Sequence, residues 1–189
     1  MKKNMSLYEE LKRYCEEELD FHIKTDRTQG VPSIYFAMGN YPWCPDDCVY
    51  ITLDFHDNYL TIDVQYSPDS VELFENSPHK EDLFSFLNYV NCIAWIASIT
   101  TQETDQSNYM FVPRIFLDEE TDLHVIGLRT SIDIDSAFQH LRELKIFIFD
   151  SAPEILDMLA YPIFNLLSGN MKLQQAKDYL FDAINGKVA

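Results

Sequence analysis

The residues best suited to chemistry in this 189-residue chain are Cys44 and Cys48, which bracket a Pro-Asp-Asp segment. Two thiolates can share a tetrahedral metal ion if two more ligands come from elsewhere. The spacing fits the usual zinc knuckle poorly, and Cys15 and Cys92 fall in helical patterns, where cysteine is a common core residue. We therefore expect no metal and no cofactor. A Cys44–Cys48 disulfide is geometrically feasible, but a reducing cytosol disfavours it, so free thiols are expected.

No cluster of catalytic residue types stands out in the sequence. The five glycines are dispersed, which leaves no phosphate loop, dinucleotide fingerprint or nucleophile elbow. The five histidines are dispersed too: His56 lies in a predicted turn, and His140 forms one exposed helical pair with Glu143. We predict that the protein is not an enzyme and has no catalytic residue. A Cys-His or Ser-His dyad that forms only in three dimensions stays open.

The net charge is −17, from 31 acidic and 14 basic residues. Residues 28–79 contain no Lys or Arg but hold eight Asp and Glu residues. Such a field repels nucleic acid and anionic lipid, so we expect neither as a partner. The acidic residues either keep an apolar-rich protein soluble or form a docking face for a basic protein, and the sequence leaves both interpretations open.

Two features of the chain bear on its location and domain count. The acidic helical pattern over 7–19 follows the N-terminus without an apolar stretch of signal-peptide length. The longest apolar region, 146–167, is interrupted by three acidic residues and two prolines, so no bilayer span is expected. We predict a cytoplasmic protein. Without internal repeats or a flexible linker, residues 1–189 are expected to form a single domain.

The spacing of apolar residues predicts mixed elements in the first half of the chain. Ser6 and Glu9 have the spacing of a capping box, and the helix they start is expected to end near Leu19. The segments 21–27 and 31–38 predict short strands. The alternation over 49–55 and 60–66 predicts a hairpin with one buried and one wet face, followed by a loop over 67–77.

The second half is more apolar. A helix over 78–98 has apolar residues on every face, so the sheet and either the C-terminal helices or a second subunit must cover it, with Asn88 and Asn91 buried and bonded. The segments 109–117 and 123–131 predict a second hairpin with two covered faces. Asp135 or Ser136 is expected to cap a third helix that restarts at Ser151 and reaches 167; a last helix over 170–184 ends at Gly186.

Together these elements predict an α+β fold: an antiparallel sheet in the order α-β-β-β-α-β-β-α, an added C-terminal helix over about 170–185, and helices packed on one face. That order, the motif Asn88-Tyr89-Val90-Asn91 and the hairpin followed by a capped long helix resemble the bacterial YbjN-like family over about residues 6–165. That family is similar in fold to type III secretion chaperones. The resemblance implies a small cytosolic protein, frequently dimeric, that binds other proteins and has no established active site. Segment 42–48, the interrupted third helix and the added helix depart from the pattern and leave the dimer mode open.

The leading functional hypothesis is a non-enzymatic protein-binding module, adaptor or chaperone-like, whose acidic first hairpin steers encounter with a protein partner of unknown identity. The apolar second helix and second hairpin also predict a homodimer. Two alternatives are an immunity-type protein that neutralises a basic toxin and an unrecognised hydrolase or transferase, which predicts a pocket of converging ionisable groups. The candidate interaction surface lies on the second hairpin and third helix and comprises Met110, Val112, Phe116, Phe147 and Phe149.

Overall fold

A computed structural model describes residues 3–26, 30–68, 70–100, 111, 113–118 and 125–186, with residues 71 and 94–100 described by backbone alone. Its six strands are β1 (Lys24–Asp26), β2 (Ser33–Gly39), β3 (Cys48–Phe55), β4 (Tyr59–Tyr66), β5 (Arg114–Asp118) and β6 (Val125–Asp133). They form one antiparallel sheet in the order β1-β2-β3-β4-β6-β5. The predicted α+β class is confirmed, with four strands ahead of the central helix where the predicted order counts three.

The helices occupy both ends of the chain and the stretch between β4 and β5. They are α1 (Lys3–Arg13), α2 (Ser70–Asn76), α3 (Lys80–Thr100), α4 (Ile134–Gln139), α5 (Leu141–Ile146), α6 (Ala152–Leu167) and α7 (Leu173–Ile184). Two π-helical turns, Tyr14–Glu18 and Phe147–Ser151, follow α1 and α5. None of the described helices combines the length and apolar character that crossing a membrane requires.

The first hairpin follows the predicted alternation. Strands β3 and β4 pair in the register Val49 to Tyr66 and Phe55 to Leu60, and every second residue of each strand is buried. Helices α1, α4 and α6 pack on this buried face, while Tyr50 and Tyr59 are exposed on the opposite face. The prediction of one buried and one wet face, with the helices on one side, is therefore confirmed.

The start of α1 differs from the prediction. The helix includes Lys3 and Asn4, upstream of the predicted cap at Ser6. Asn4 is buried, and the ammonium of Lys3 donates to Asp135 Oδ1 at 2.6 Å, so contacts outside the local sequence pattern hold the first turn. The apolar face is as expected, since Leu7, Leu11 and Cys15 are fully buried.

Helix α3 is roofed by the C-terminal part of the chain. It packs against α6, α7 and β5. Asn91 supports β5 through two 2.9 Å hydrogen bonds, in which its Nδ2 donates to the carbonyl of Ile115 and its Oδ1 accepts the N–H of the same residue. The expectation that Asn91 braces backbone is confirmed, but Asn88 and Cys92 are exposed, where burial was predicted. With Phe84, whose ring contacts Phe74 of α2 edge to face, they form an exposed strip on α3, so helix burial is incomplete.

Two further predictions of the sequence need correction. The segment predicted as a loop contains α2, a seven-residue helix of about two turns that buries Phe74. The N–H of Ser70 at its start donates to the carbonyl of Ser67. The cap of α4 is Asp133, whose Oδ1 accepts the N–H of Asp135 at 3.0 Å, so Asp135 lies inside the helix it was expected to start.

The C-terminal half otherwise follows the predicted course. The third helix is divided into α4, α5 and α6, with a break at His140 and a π-helical turn, and it extends to Leu167. Helix α7 begins three residues later than predicted and ends at Ile184 as predicted. Gly186, which closes it, has a left-handed φ of 66° and donates its N–H to the carbonyl of Ala183. The second hairpin is confirmed as the pair of β5 and β6, although its connection over 119–124 lies outside the described residues.

Candidate protein-binding surface

Trp43 is the most exposed large apolar side chain in the part of the chain that the structure describes, at 56%. It lies in the connection between β2 and β3, residues 40–47. Exposure of one large apolar residue is ordinary by itself, so its meaning depends on how the connection is held and on what surrounds it.

The connection is closed by its own backbone. The N–H of Tyr41 donates to the carbonyl of Asp47 at 3.1 Å, and the N–H of Asp47 donates to the carbonyl of Cys44 at 3.1 Å. Asn40, Asp46 and Asp47 have positive φ angles of 72°, 57° and 51°, a conformation that Asn and Asp tolerate better than most residues. The Asp46 carboxylate also accepts a hydrogen bond from the Ser67 hydroxyl. The connection is therefore anchored at both ends.

Helix α6 anchors the middle of the connection through Asp157. Its Oδ1 accepts the backbone N–H of Trp43 at 2.9 Å, and its carboxylate is also hydrogen-bonded to the thiol of Cys44, which is buried. The helix is itself fixed to the sheet, because the buried hydroxyl of Tyr66 on β4 donates to the carbonyl of Leu156 at 2.7 Å. Trp43 thus projects from backbone that is bonded to the core of the protein.

Two tyrosines extend the aromatic area beside Trp43. The Trp43 and Tyr161 rings meet edge to face, with centroids 5.2 Å apart and planes at 79°. Tyr161 in turn contacts Tyr179 of α7 at 4.8 Å. Together with nearby carboxylates these side chains form a continuous area. We call it the Trp43 surface, and it comprises Tyr41, Trp43, Asp150, Glu154, Asp157, Tyr161 and Tyr179.

The Trp43 surface is negatively charged. Burial and, after it, the carboxylates of Glu154, Asp150 and Asp157 together raise the pKa of Tyr41 to about 12. Burial is also the main cause of the raised pKa of Tyr179. Both hydroxyls therefore stay protonated at neutral pH. Neither of the segments that supply most of this surface, 28–79 and 146–171, contains a Lys or Arg.

Of the two cysteines that suggested a metal site, Cys44 has a structural role. Both are free thiols. Burial is the first cause of the raised pKa of Cys44, followed by the charge of Asp157, and burial also raises the pKa of Cys48. Within the described residues, no group of three or more His, Cys, Asp or Glu side chains is placed to hold a metal ion. Cys44 contributes its hydrogen bond to Asp157 and so helps to seat the connection.

Thiol labelling of the native protein should distinguish the four cysteines. Because the thiolate is the reacting species, Cys92, which is exposed, should react first with Ellman's reagent. Cys15 should be protected until unfolding, since burial raises its pKa to about 12, and Cys44 is similarly buried. Peptide mapping by mass spectrometry would report the order. Labelling of Cys44 as fast as Cys92 would contradict the anchored connection described above.

The structure does not gather the predicted interaction residues on one surface. Phe116 is half-buried on the outer face of β5, where its ring lies 4.5 Å from the guanidinium of Arg129. Phe147 and Phe149 are only 7% and 6% exposed, because they stack on Phe111 and Phe36. In this conformation neither offers area to a partner. Met110 and Val112 lie outside the described residues.

Sequence reasoning missed every aromatic residue of the Trp43 surface. The signal available was the run Tyr41-Pro42-Trp43, which places two aromatic residues beside a turn in the stretch that lacks Lys and Arg. In the segment 42–48 the two cysteines and the departure from the family pattern drew attention, and Trp43 did not. Tyr161 and Tyr179 follow helical spacing in apolar segments, so the sequence does not separate them from core residues.

An open cavity of about 490 Å³ lies where the two π-helical turns approach each other. Its lining is mixed and consists of Tyr14, Leu19, Leu141, Arg142, Lys145, Ile146, Phe149 and Asp150. The ammonium of Lys145 is already engaged, 3.1 Å from Glu10 and 3.8 Å from the ring of Tyr14. The described lining holds one carboxylate, Asp150, and no Ser, Cys or His side chain beside it, so the enzyme hypothesis stays a prediction without an assigned catalytic residue.

Comparison with known proteins gives no relative for this chain: no family model, no curated protein and no solved structure matches it. The resemblance to the YbjN-like family therefore stays a prediction, and the fold and the Trp43 surface are the observations on which a function can be argued.

Proposed function

We propose that this protein is a non-enzymatic protein-binding module, adaptor or chaperone-like, that acts in the cytoplasm and contacts its partner through the Trp43 surface. The observation that carries the proposal is the 56% exposure of a tryptophan whose backbone is hydrogen-bonded to a buried helix. Tryptophan is among the residues most enriched where binding energy concentrates in protein interfaces. The proposal agrees with what the YbjN-like resemblance implies, namely the binding of other proteins.

The rigidity of the connection supports this function. Binding requires ordering of side chains and loops, which costs about 0.5–1.5 kcal/mol for each immobilised side chain. In this protein the hydrogen bonds of Tyr41, Cys44 and Asp47 and the contact between Trp43 and Tyr161 already hold the connection before a partner arrives. Much of the ordering cost is thus met by folding, which leaves more of the contact energy for affinity.

The charge of the same surface favours a second candidate function, an immunity-type protein that neutralises a basic toxin. Its support is the lack of Lys and Arg in 28–79 and 146–171 combined with the carboxylates of Asp150, Glu154 and Asp157. Complementary charge raises the rate of association with a basic protein. A toxin gene beside the gene for this chain, and loss of toxin activity on mixing, are the expected observations for this candidate.

We also propose that the protein is a homodimer. The exposed strip of Phe84, Asn88 and Cys92 on α3 offers one contact for a second copy. Light scattering at micromolar concentration tests this directly, since the protomer mass is 22.1 kDa and the dimer mass is twice that value.

Affinity capture with matched variants tests the main proposal. Trp43→Ala removes the exposed anchor, and Phe181→Ala, which removes a side chain that is 54% exposed on α7, is the control. A partner captured by the native protein should be lost with Trp43→Ala and kept with Phe181→Ala. If the Trp43→Ala variant still captures the partner, or if no protein is enriched over an untagged sample, the proposed role of the surface is wrong. Circular dichroism of both variants checks that they fold.

A further inference from the structure

We propose that the corner between the Trp43 and Tyr161 rings binds an arginine side chain from a basic segment of the protein partner. This inference rests on the proposed function and specifies which chemistry the Trp43 surface recognises. The occupant is a guanidinium carried by a polypeptide.

The ring geometry provides the walls of the site. The planes of the two rings meet at 79°, and their centroids are 5.2 Å apart. The face of one ring and the part of the second ring's face that the first ring does not cover therefore border the same space. A cation placed over an aromatic face within about 6 Å of its centroid is attracted by the ring quadrupole, and tryptophan is the strongest of these rings. Since Trp43 is more than half exposed, that space is open to a partner.

The carboxylates stand along one edge of this corner. Glu154, Asp157 and Tyr161 of α6 follow each other at spacings of three and four residues, which places them on one stripe of the helix. The charge of Asp150, in the π-helical turn before α6, also acts on Tyr41. Asp157 is also bonded to the backbone of Trp43 itself. A cation in the corner would therefore meet two ring faces and a line of negative charge.

The charge of these carboxylates is not already neutralised by the protein. Within the described residues, no Lys or Arg forms an ion pair with Asp150, Glu154 or Asp157; Arg142 and Lys145 line the same cavity as Asp150, and Lys145 is paired with Glu10. Lys177 is the nearest basic residue in sequence to Tyr179, but its ammonium lies over the ring of Tyr89, 5.1 Å from the centroid. The site thus has an unmatched negative charge that a basic partner can complement.

Arginine fits the corner better than lysine does. Its planar guanidinium stacks on an aromatic face and still presents N–H donors in its plane to a carboxylate, whereas the compact ammonium of lysine is more strongly hydrated. The rings of Trp43 and Tyr161 supply faces, and Asp157 and Glu154 supply carboxylates. The arrangement therefore matches both properties of the guanidinium.

The test uses 19F NMR of protein labelled with 5-fluorotryptophan. The chain has two tryptophans, so two resonances are expected, and the one absent in Trp43→Leu belongs to Trp43. The probes are the blocked amides of arginine, lysine and citrulline, because citrulline has the shape of arginine without its charge. The arginine amide should shift the Trp43 resonance in a saturable manner, the lysine amide should bind more weakly, and the citrulline amide should have no effect.

Two variants separate the corner from general attraction of cations. Tyr161→Leu removes one wall and should weaken the arginine amide about fivefold, the effect expected for one exposed cation–π contact. Tyr59→Leu removes an exposed aromatic ring on the outer face of the sheet and should leave the affinity unchanged. Equal responses to arginine and citrulline, or equal losses in Tyr161→Leu and Tyr59→Leu, would overturn the proposal.

The two proposals fail in different ways. If a partner is captured in a Trp43-dependent way but the Trp43 resonance does not respond to the arginine amide, the arginine site is wrong and the proposed binding surface stands. If the Trp43 resonance responds specifically to the arginine amide but no captured partner depends on Trp43, the proposed function is wrong and the arginine-binding corner stands.

Discussion

Replacing Gly127 with alanine is expected to lower the free energy of unfolding by about 2–3 kcal/mol, the cost of forcing an extra methyl group into a packed site. Gly127 lies on β6 opposite Gln65 of β4, in the middle of the sheet. A Cβ at this position would stand 2.6 Å from the carbonyl oxygen of Val64 and 3.1 Å from Cγ of Gln65. Because the nearest atom belongs to backbone, relief requires β4 and β6 to separate.

Gly39 provides the matched control for this substitution. It is also a strand glycine, on β2, but a Cβ there would meet only the carbonyl oxygen of Asp47, at 4.0 Å, an ordinary contact. Thermal unfolding should show a fall in Tm of roughly 4–12 °C for Gly127→Ala and little change for Gly39→Ala. Equal Tm values for the two variants would contradict this prediction, because they would show that β4 and β6 accommodate the extra methyl group at Gly127 without loss of stability.

The parts of the fold that could be predicted are those in which local pattern and tertiary environment agree. Residues 49–66 alternate between apolar and polar, and this period selects both the strands and the face that turns inward. The terminal glycine of α7 is similar, because a left-handed residue after the last turn is a local requirement that Gly186 meets.

The boundaries that could not be predicted depend on distant contacts. Ser6 has the sequence of a cap, yet α1 starts earlier because Asn4 packs into the core. Asp133 caps α4 because the last residue of β6 places its carboxylate beside the N–H groups of the next turn, whereas the sequence favoured Asp135 or Ser136. In both cases several residues nearby have suitable side chains, and the position of the neighbouring element decides among them.

The candidate site could not be predicted either, because it also depends on contacts between distant parts of the chain. The hydrogen bond between Trp43 and Asp157 joins residues 114 positions apart, and Tyr179 comes from a third element. The sequence shows a cation-free stretch and an aromatic-rich turn, but it does not show that α6 adds carboxylates beside them. The sequence pattern instead suggested Phe147 and Phe149 as interaction residues because they are large and apolar. Both become core residues once α5 and α6 fold against the sheet.

Asp157→Ala is expected to release the connection that carries Trp43 and to cost about 1–2 kcal/mol of unfolding free energy, because two hydrogen-bond donors lose their acceptor. Those donors are the N–H of Trp43 and the thiol of Cys44. A loss of about 1.4 kcal/mol in local stability corresponds to roughly tenfold more frequent opening. Labelling of Cys44 by Ellman's reagent should therefore accelerate about tenfold, and the Trp43 resonance should change.

Asp157→Asn separates the position of this side chain from its charge. The amide keeps an oxygen that can accept the N–H of Trp43, so the connection should stay closed and Cys44 should stay more protected than in Asp157→Ala, although a neutral acceptor makes a weaker bond than a carboxylate. Both variants remove the charge that raises the pKa of Cys44, so the difference between their labelling rates reports the opening of the connection. Affinity for a basic partner should nevertheless fall, since one of the carboxylates beside the corner is gone. If Asp157→Ala and Asp157→Asn label Cys44 equally slowly, the connection is held by its own backbone bonds and Asp157 contributes charge alone.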